Sequence, residues 1–166
     1  LWFKNEISAK LQIRTLVFLF QALFISMAFL LALWSKELLP LLFRHIQFKG
    51  AYTYSTIIFM SYVYFPLYLG SINKLYYSGN TKSMWKIAFV PGIINVILNI
   101  ILVPKYGPIA ACFTTFFSLM YVAVSGYYLK AYKKLNDVDY HQIKWLVLII
   151  LLAITVFLIR DVDVVI

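Results

Sequence analysis

The sequence predicts an all-α membrane protein with about five transmembrane helices. Three observations carry that reading. The 166 residues are 63% hydrophobic and only 13% charged, where a soluble domain is roughly a quarter charged. The apolar residues fall into runs long enough to cross a bilayer, which takes about 20 residues of helix. Every Lys, Arg, Asp and Glu lies in a connection or at the end of a run, as expected if a charge at a helix centre costs roughly 2.5–3.5 kcal/mol on insertion.

The first span is Thr15–Trp34, unbroken by Pro or Gly. The connection after it contains "KELLPLLF", too short to cross and disturbed by Pro40. That segment reads as interfacial, with Lys36 and Arg44 reaching headgroups, and Lys49-Gly50 turns the chain back. The second span, Tyr54–Ile72, contains Pro66 and Gly70. A proline inside a helix removes a backbone hydrogen bond and favours a kink, so Pro66 is a candidate hinge. The third span, Met84–Val103, carries Pro91-Gly92 as a second candidate hinge. Tolerated proline and a bend used in a transport cycle both remain open for the two sites. The fourth span is Pro108–Lys130 and the fifth Lys144–Ile159.

Charge orients the spans. Ten basic residues fall on one side: Lys4, Lys10, Arg14, Lys74, Lys82, Lys86, Lys130, Lys133, Lys134 and Lys144. Five fall on the other: Lys36, Arg44, Lys49, Lys105 and Arg160. Cytoplasmic loops carry the excess, which places the N-terminus inside and the C-terminus outside. Trp34, Tyr52, Tyr54, Tyr76, Tyr77, Trp85, Tyr106 and Trp145 lie near the proposed interfaces, where amphipathic rings settle. The net charge of +9 is explained by topology and anionic headgroups rather than by nucleic acid. Cys112, alone, supports neither a disulfide framework nor a metal set. His45 and His141 lie in separate connections, and no metal or cofactor is expected. The chain opens on Leu1 inside what reads as a connection and ends on another apolar run, so it reads as a piece of a longer protein.

Polar residues inside the spans are the candidate functional groups. Asn95 and Asn99 are four residues apart and share one helix face. Facing lipid they would be costly, so that face meets either helices or a wet cavity. In the next span Gly107, Ala111, Thr114, Ser118 and Ser125 form a small, weakly polar stripe. Such stripes let backbones approach and hydroxyls bond across helices. Helix packing through Gly107 and Ala111, and a polar path lined by Asn95, Asn99, Thr114 and Ser118, are both open on this evidence.

These residues carry a resemblance. Asn73, then "SGNTK" with Gly79, Thr81 and Lys82, then "NVILNIILVPKYG" with Asn95, Asn99, Pro104, Tyr106 and Gly107, then Ala111 and Thr115, are similar to the C-terminal half of Wzx-type oligosaccharide flippases. That family belongs to the superfamily that includes MATE exporters and lipid II flippases. Ala110 and Pro108 depart from its usual Gly and aliphatic residue. The resemblance implies part of the C-terminal lobe of a transporter of about 12–14 helices with repeats around a central cavity. It makes residues 1–166 one membrane domain, with 1–130 as second-lobe helices and 131–166 as an appended C-terminal helix.

The implied activity is export of an undecaprenyl-diphosphate-linked oligosaccharide across the bacterial inner membrane. Lys74, Lys82 and Lys86 would attract the diphosphate at the cytoplasmic mouth, unless they serve topology and anionic lipid alone. Implied partners are the bilayer, the lipid-linked oligosaccharide, and polysaccharide polymerase and chain-length proteins. No nucleophile triad, phosphate-binding glycine loop or carboxylate pair argues for an enzyme. "NDVDYHQ", with Asp137, Asp139 and His141, reads as a solvated loop. Another MATE-like lipid or drug exporter, or a membrane scaffold without transport, are the alternatives.

Overall fold

The structure, a computed structural model, describes residues 6–42, 50–79, 81–135 and 139–159. Lys4, Arg44, His45, Lys49, Asp137 and Arg160, used above for orientation or weighed as ligands, lie outside them. Among the described residues the regular elements are all helical. They are α1 (Glu6–Leu33), α2 (Ser35–Leu42), α3 (Ala51–Tyr62), α4 (Phe65–Tyr77), α5 (Trp85–Tyr106), α6 (Pro108–Tyr128), the single turn α7 (Lys130–Lys133) and α8 (Gln142–Ile159), with a 3-10 turn at Thr81–Ser83.

Among the described residues, five helical stretches are long and apolar enough to cross a membrane: Ala9–Leu33, Ala51–Tyr77, Thr81–Tyr106, Pro108–Tyr128 and Gln142–Ile159. They coincide with the five runs read from the sequence. The second, made of α3 and α4, is the least apolar of the five and the most enclosed: 61% of the residues in its apolar stretch are buried, against 11% for the third and fifth. The two properties have one cause. A span surrounded by protein can carry Thr56, Ser61 and Ser71, all buried: each hydroxyl bonds a carbonyl of its own helix, and Thr56 also meets Ser35 on α2. A span facing lipid must present side chains such as Val96, Ile97, Ile100 and Leu151, all well exposed.

α3 and α4 therefore form the centre of the fold. α1 packs along both, α6 packs along both from another side, α8 closes on α1 and α3, and α5 reaches the bundle chiefly through α6. The main core joins Ala28 of α1, Met60 of α3, Leu67 of α4, Phe116 and Ala123 of α6 and Ile149 of α8. A smaller cluster at the other end joins Ile72, Leu75, Ile87, Tyr127, Tyr132 and Tyr140. α2 continues through Pro40, with Leu41 and Leu42 exposed beyond it.

α4 and α6 fit together tightly around two glycines. A Cβ built on Gly126 would collide with Ser71, whose own Cβ lies 2.7 Å away. A Cβ on Gly70 would stand 2.5 Å from the Tyr127 hydroxyl. Gly126 thus leaves room for the Ser71 side chain, and Gly70 for the Tyr127 hydroxyl.

Candidate functional site

Pro66 determines where the second span breaks. It has no N–H to give the carbonyl of Tyr62, and its ring crowds the preceding turn. α3 ends at Tyr62, Val63 and Tyr64 form a turn, and α4 restarts at Phe65 with Pro66 in its first turn, where proline is tolerated. The break is stitched from two other helices. Gln21 on α1 donates from Nε2 to the Val63 carbonyl at 2.8 Å. The Tyr127 hydroxyl on α6 donates to the Leu67 carbonyl at 2.8 Å. Gln21, Val63, Tyr64 and Leu67 are all buried, with at most 1% exposure. Gln21 Oε1 and the Tyr64 hydroxyl find no hydrogen-bond partner among the described residues. An unmet buried polar group costs roughly 1–3 kcal/mol, so the break holds stored cost as well as repair.

The third span does not break. α5 runs through Pro91 and Pro104 to Tyr106. Pro91 is buried, while Gly92 is exposed and a Cβ there would meet nothing within 4 Å. The Pro91 carbonyl instead accepts from Ser118 Oγ at 3.1 Å.

Asn95 and Asn99 lie half-buried on the α5 face that meets α6. Asn99 Nδ2 donates to Asn95 Oδ1 at 3.0 Å, and the Thr114 hydroxyl stands 2.6 Å from Asn99 Oδ1. Thr114 also lies 3.0 Å from the Ala111 carbonyl of its own helix. Asn95, Asn99 and Thr114 thus form one ladder, and Ser118 makes the next rung with the α5 backbone. Ala111 is half-buried beside it. Gly107 has another task than the helix packing expected of it. It alone separates α5 from α6, at φ 70° and ψ −165°, a region essentially closed to residues with a Cβ. No atom lies within 4 Å of where that Cβ would be, so Gly107 makes the turn and not a close helix contact.

The three lysines proposed for an anionic headgroup occupy the loop end of α4 and α5. Lys74, in the last turn of α4, holds Nζ 5.4 Å from the Tyr132 ring centre. Lys82 is exposed in the 3-10 turn, and Lys86 is exposed with Nζ 5.8 Å from the Trp85 ring centre.

The loop read as merely solvated also carries a built contact. An Arg14 guanidinium nitrogen on α1 lies 3.0 Å from His141 Nε2, and His141 Nδ1 lies 2.6 Å from Asp139 Oδ2. Arginine only donates, so Nε2 accepts and the ring proton sits on Nδ1, pointing at Asp139. Asp139 also accepts from the His141 backbone N–H at 2.8 Å. That bond first, then the imidazole and Arg14, hold its carboxyl below the usual carboxylate range. Phe18 lies under the Arg14 guanidinium at 5.1 Å and edge-on to Trp145 at 5.5 Å.

Sequence reasoning passed over Gln21 and Tyr127, and used Arg14 only for its charge. Gln21 had a signal: it is the one amide in a first span otherwise free of strongly polar groups. No protein family, curated protein or solved structure matches the chain.

Proposed function

We propose that this chain is part of a transbilayer exporter, a Wzx-type flippase that moves a diphosphate-linked oligosaccharide on a polyprenyl carrier across the bacterial inner membrane. The observation that carries the reading is the broken central span. Val63 and Tyr64 keep helical angles, so the break is a proline turn rather than an unwound stretch. Carbonyls that a proline frees at membrane depth are tolerated where protein or a cavity covers them, and transporters use interrupted helices as moving parts. Here the break lies in the most enclosed span, is held by two side chains from separate helices, and keeps two polar groups unmet. A stretch stabilised from outside itself can exchange those partners when the neighbours shift.

The half-buried ladder supplies the polar wall. Asn99 can give up Thr114 to a sugar hydroxyl because Thr114 keeps the Ala111 carbonyl as a second acceptor. Lys82 and Lys86, exposed one turn apart, meet the diphosphate at the cytoplasmic end given by the charge count. Polymerase and chain-length proteins are the partners of such an exporter.

The test is complementation of a flippase-deficient strain by the gene in its full reading frame. With Pro66→Ala, and separately with Asn95→Leu plus Asn99→Leu, surface glycan falls sharply at unchanged membrane level of the protein. Normal glycan with both sets of changes overturns the proposal.

A further inference from the structure

The face between α1 and α4 holds a cavity of about 700 Å³, within the range of ligand pockets. Its lining changes with depth. At one end stand Lys10, Asn73 and Lys74; at the other stand Val17, Phe20 and Leu69 on walls that are apolar throughout. The two helices run antiparallel here, since Gln21 meets Val63 while Val17 lies against the Gly70 position. Lys10 and Lys74 therefore share one membrane level, and Phe20 lies ten residues, or about 15 Å, deeper along α1. That depth is about half of a hydrocarbon core of roughly 30 Å. The groove is one leaflet deep, cationic at headgroup level and greasy below.

A soluble anion has no use for the lower part, and a neutral apolar chain has no use for the lysines. We infer that this groove is a site for an anionic glycerophospholipid of the leaflet at the Lys10 end, with the phosphodiester between Lys10 and Lys74 and one acyl chain laid along Val17, Phe20 and Leu69. Lysine suits the upper part because its ammonium reaches a phosphate while its methylenes stay on the apolar wall. Lys74 Nζ also lies 5.4 Å from the Tyr132 ring centre, and an ammonium has three donors to share between ring and phosphate. The site depends only on the chain spanning a membrane and is independent of what the protein exports.

The experiment uses the protein in vesicles of phosphatidylcholine carrying a trace of phosphatidylglycerol with a photoactivatable acyl chain, or the same trace of a photoactivatable phosphatidylcholine. Labelled peptides are mapped by mass spectrometry. Phosphatidylglycerol labels the peptides containing Val17–Phe20 and Leu69 roughly tenfold or more above phosphatidylcholine, the scale two lysines at headgroup level confer. Lys10→Gln with Lys74→Gln removes the preference, and Lys10→Arg with Lys74→Arg retains it. Leu16→Trp, which narrows the groove from an exposed position, lowers labelling by both lipids; it carries the test if the glutamine pair does not insert. Equal labelling by the two lipids, a preference that survives the glutamine pair, or labelling no greater than on the lipid-facing side of α5 overturns the proposal. Displacement by millimolar inorganic phosphate also overturns it, by showing a bare anion site.

Discussion

Two polar seams cross this bundle, and they are built in opposite ways. The α5–α6 ladder joins residues 4 and 15 positions apart, Asn95 to Asn99 and Asn99 to Thr114. The α3–α4 break is held by residues 42 and 60 positions from the carbonyls they serve, Gln21 for Val63 and Tyr127 for Leu67. The ladder needs only one hairpin and can form as soon as two adjacent spans meet in the bilayer. The break needs α1 and α6 docked on either side of the central span, which belongs to the later stage of membrane folding, when inserted helices associate. The hairpin is thus locally complete, whereas the break is stable only as a property of the whole bundle.

The sharpest way to test that difference is to deny the break its neighbours. Gly126→Leu places a side chain where Ser71 already stands and forces α6 away from α4. The expected cost is about 3 kcal/mol, the upper end for overpacking, read from unfolding of the purified protein in detergent. Gly92→Leu, on the open face of α5, stays within about 0.5 kcal/mol. Equal costs would mean that α4 and α6 do not approach as described.

The hairpin has its own weak point, the single residue at its turn. Gly107→Ala must leave φ 70°, ψ −165° or bear the strain of staying, at about 1–2 kcal/mol. The damage should stay local: cysteine cross-linking between α5 and α6 slows while cross-linking between α1 and α4 keeps its rate. Loss of both would show that the hairpin and the break fold as one unit. Below that come the bonds themselves. Tyr127→Phe removes a donor from the Leu67 carbonyl and costs about 1 kcal/mol. Thr114→Val costs about 0.6 kcal/mol, the membrane average for such a bond, because Asn99 keeps its contact with Asn95. A larger loss at Thr114 than at Tyr127 would reverse the ranking of the two seams.

Sequence range explains what could be read in advance. The five spans were legible because membrane length and the cost of buried charge act on contiguous residues. Their ends differ for a local reason: α1 is already helical at Glu6, before Thr15, because a helix continues past the hydrocarbon once Lys10 and Arg14 reach the rim. The shared face of Asn95 and Asn99 was legible from helical spacing, and Pro66 marked the break to within a turn. The turn at Gly107 was not legible because small residues serve both packing and turns, and only φ and ψ reveal the turn. Pro91 looked equivalent to Pro66, yet α5 stays helical through it. Gln21, Tyr127 and Arg14 were invisible as partners, since each acts on a group 42 to 127 residues away.

The smallest effect is expected where the chain joins distant residues without the membrane's constraint, at Arg14, His141 and Asp139. This contact is as long-range as those at the break, linking α1 to the start of α8 across 127 positions. It differs in setting, because Asp139 is 65% exposed and water can replace either partner. Range alone therefore should not make a contact valuable; burial must be added. Asp139 has a folded pKa below its unfolded value near 3.9. Its contribution is present above that unfolded value and disappears as pH falls through the folded one, because the protonated carboxyl no longer attracts the imidazole and guanidinium that face it. The groups facing the carboxylate are His141 on its own segment and Arg14 on α1. Melting of the protein should decline slightly as pH drops below about 4, and Asp139→Asn should flatten that decline while leaving stability at neutral pH lower by less than about 1 kcal/mol. High salt should erase the difference between the two proteins. A loss at Asp139 as large as that at Gly126 would mean that this rim contact, and not the stitched break, holds α1 to the bundle.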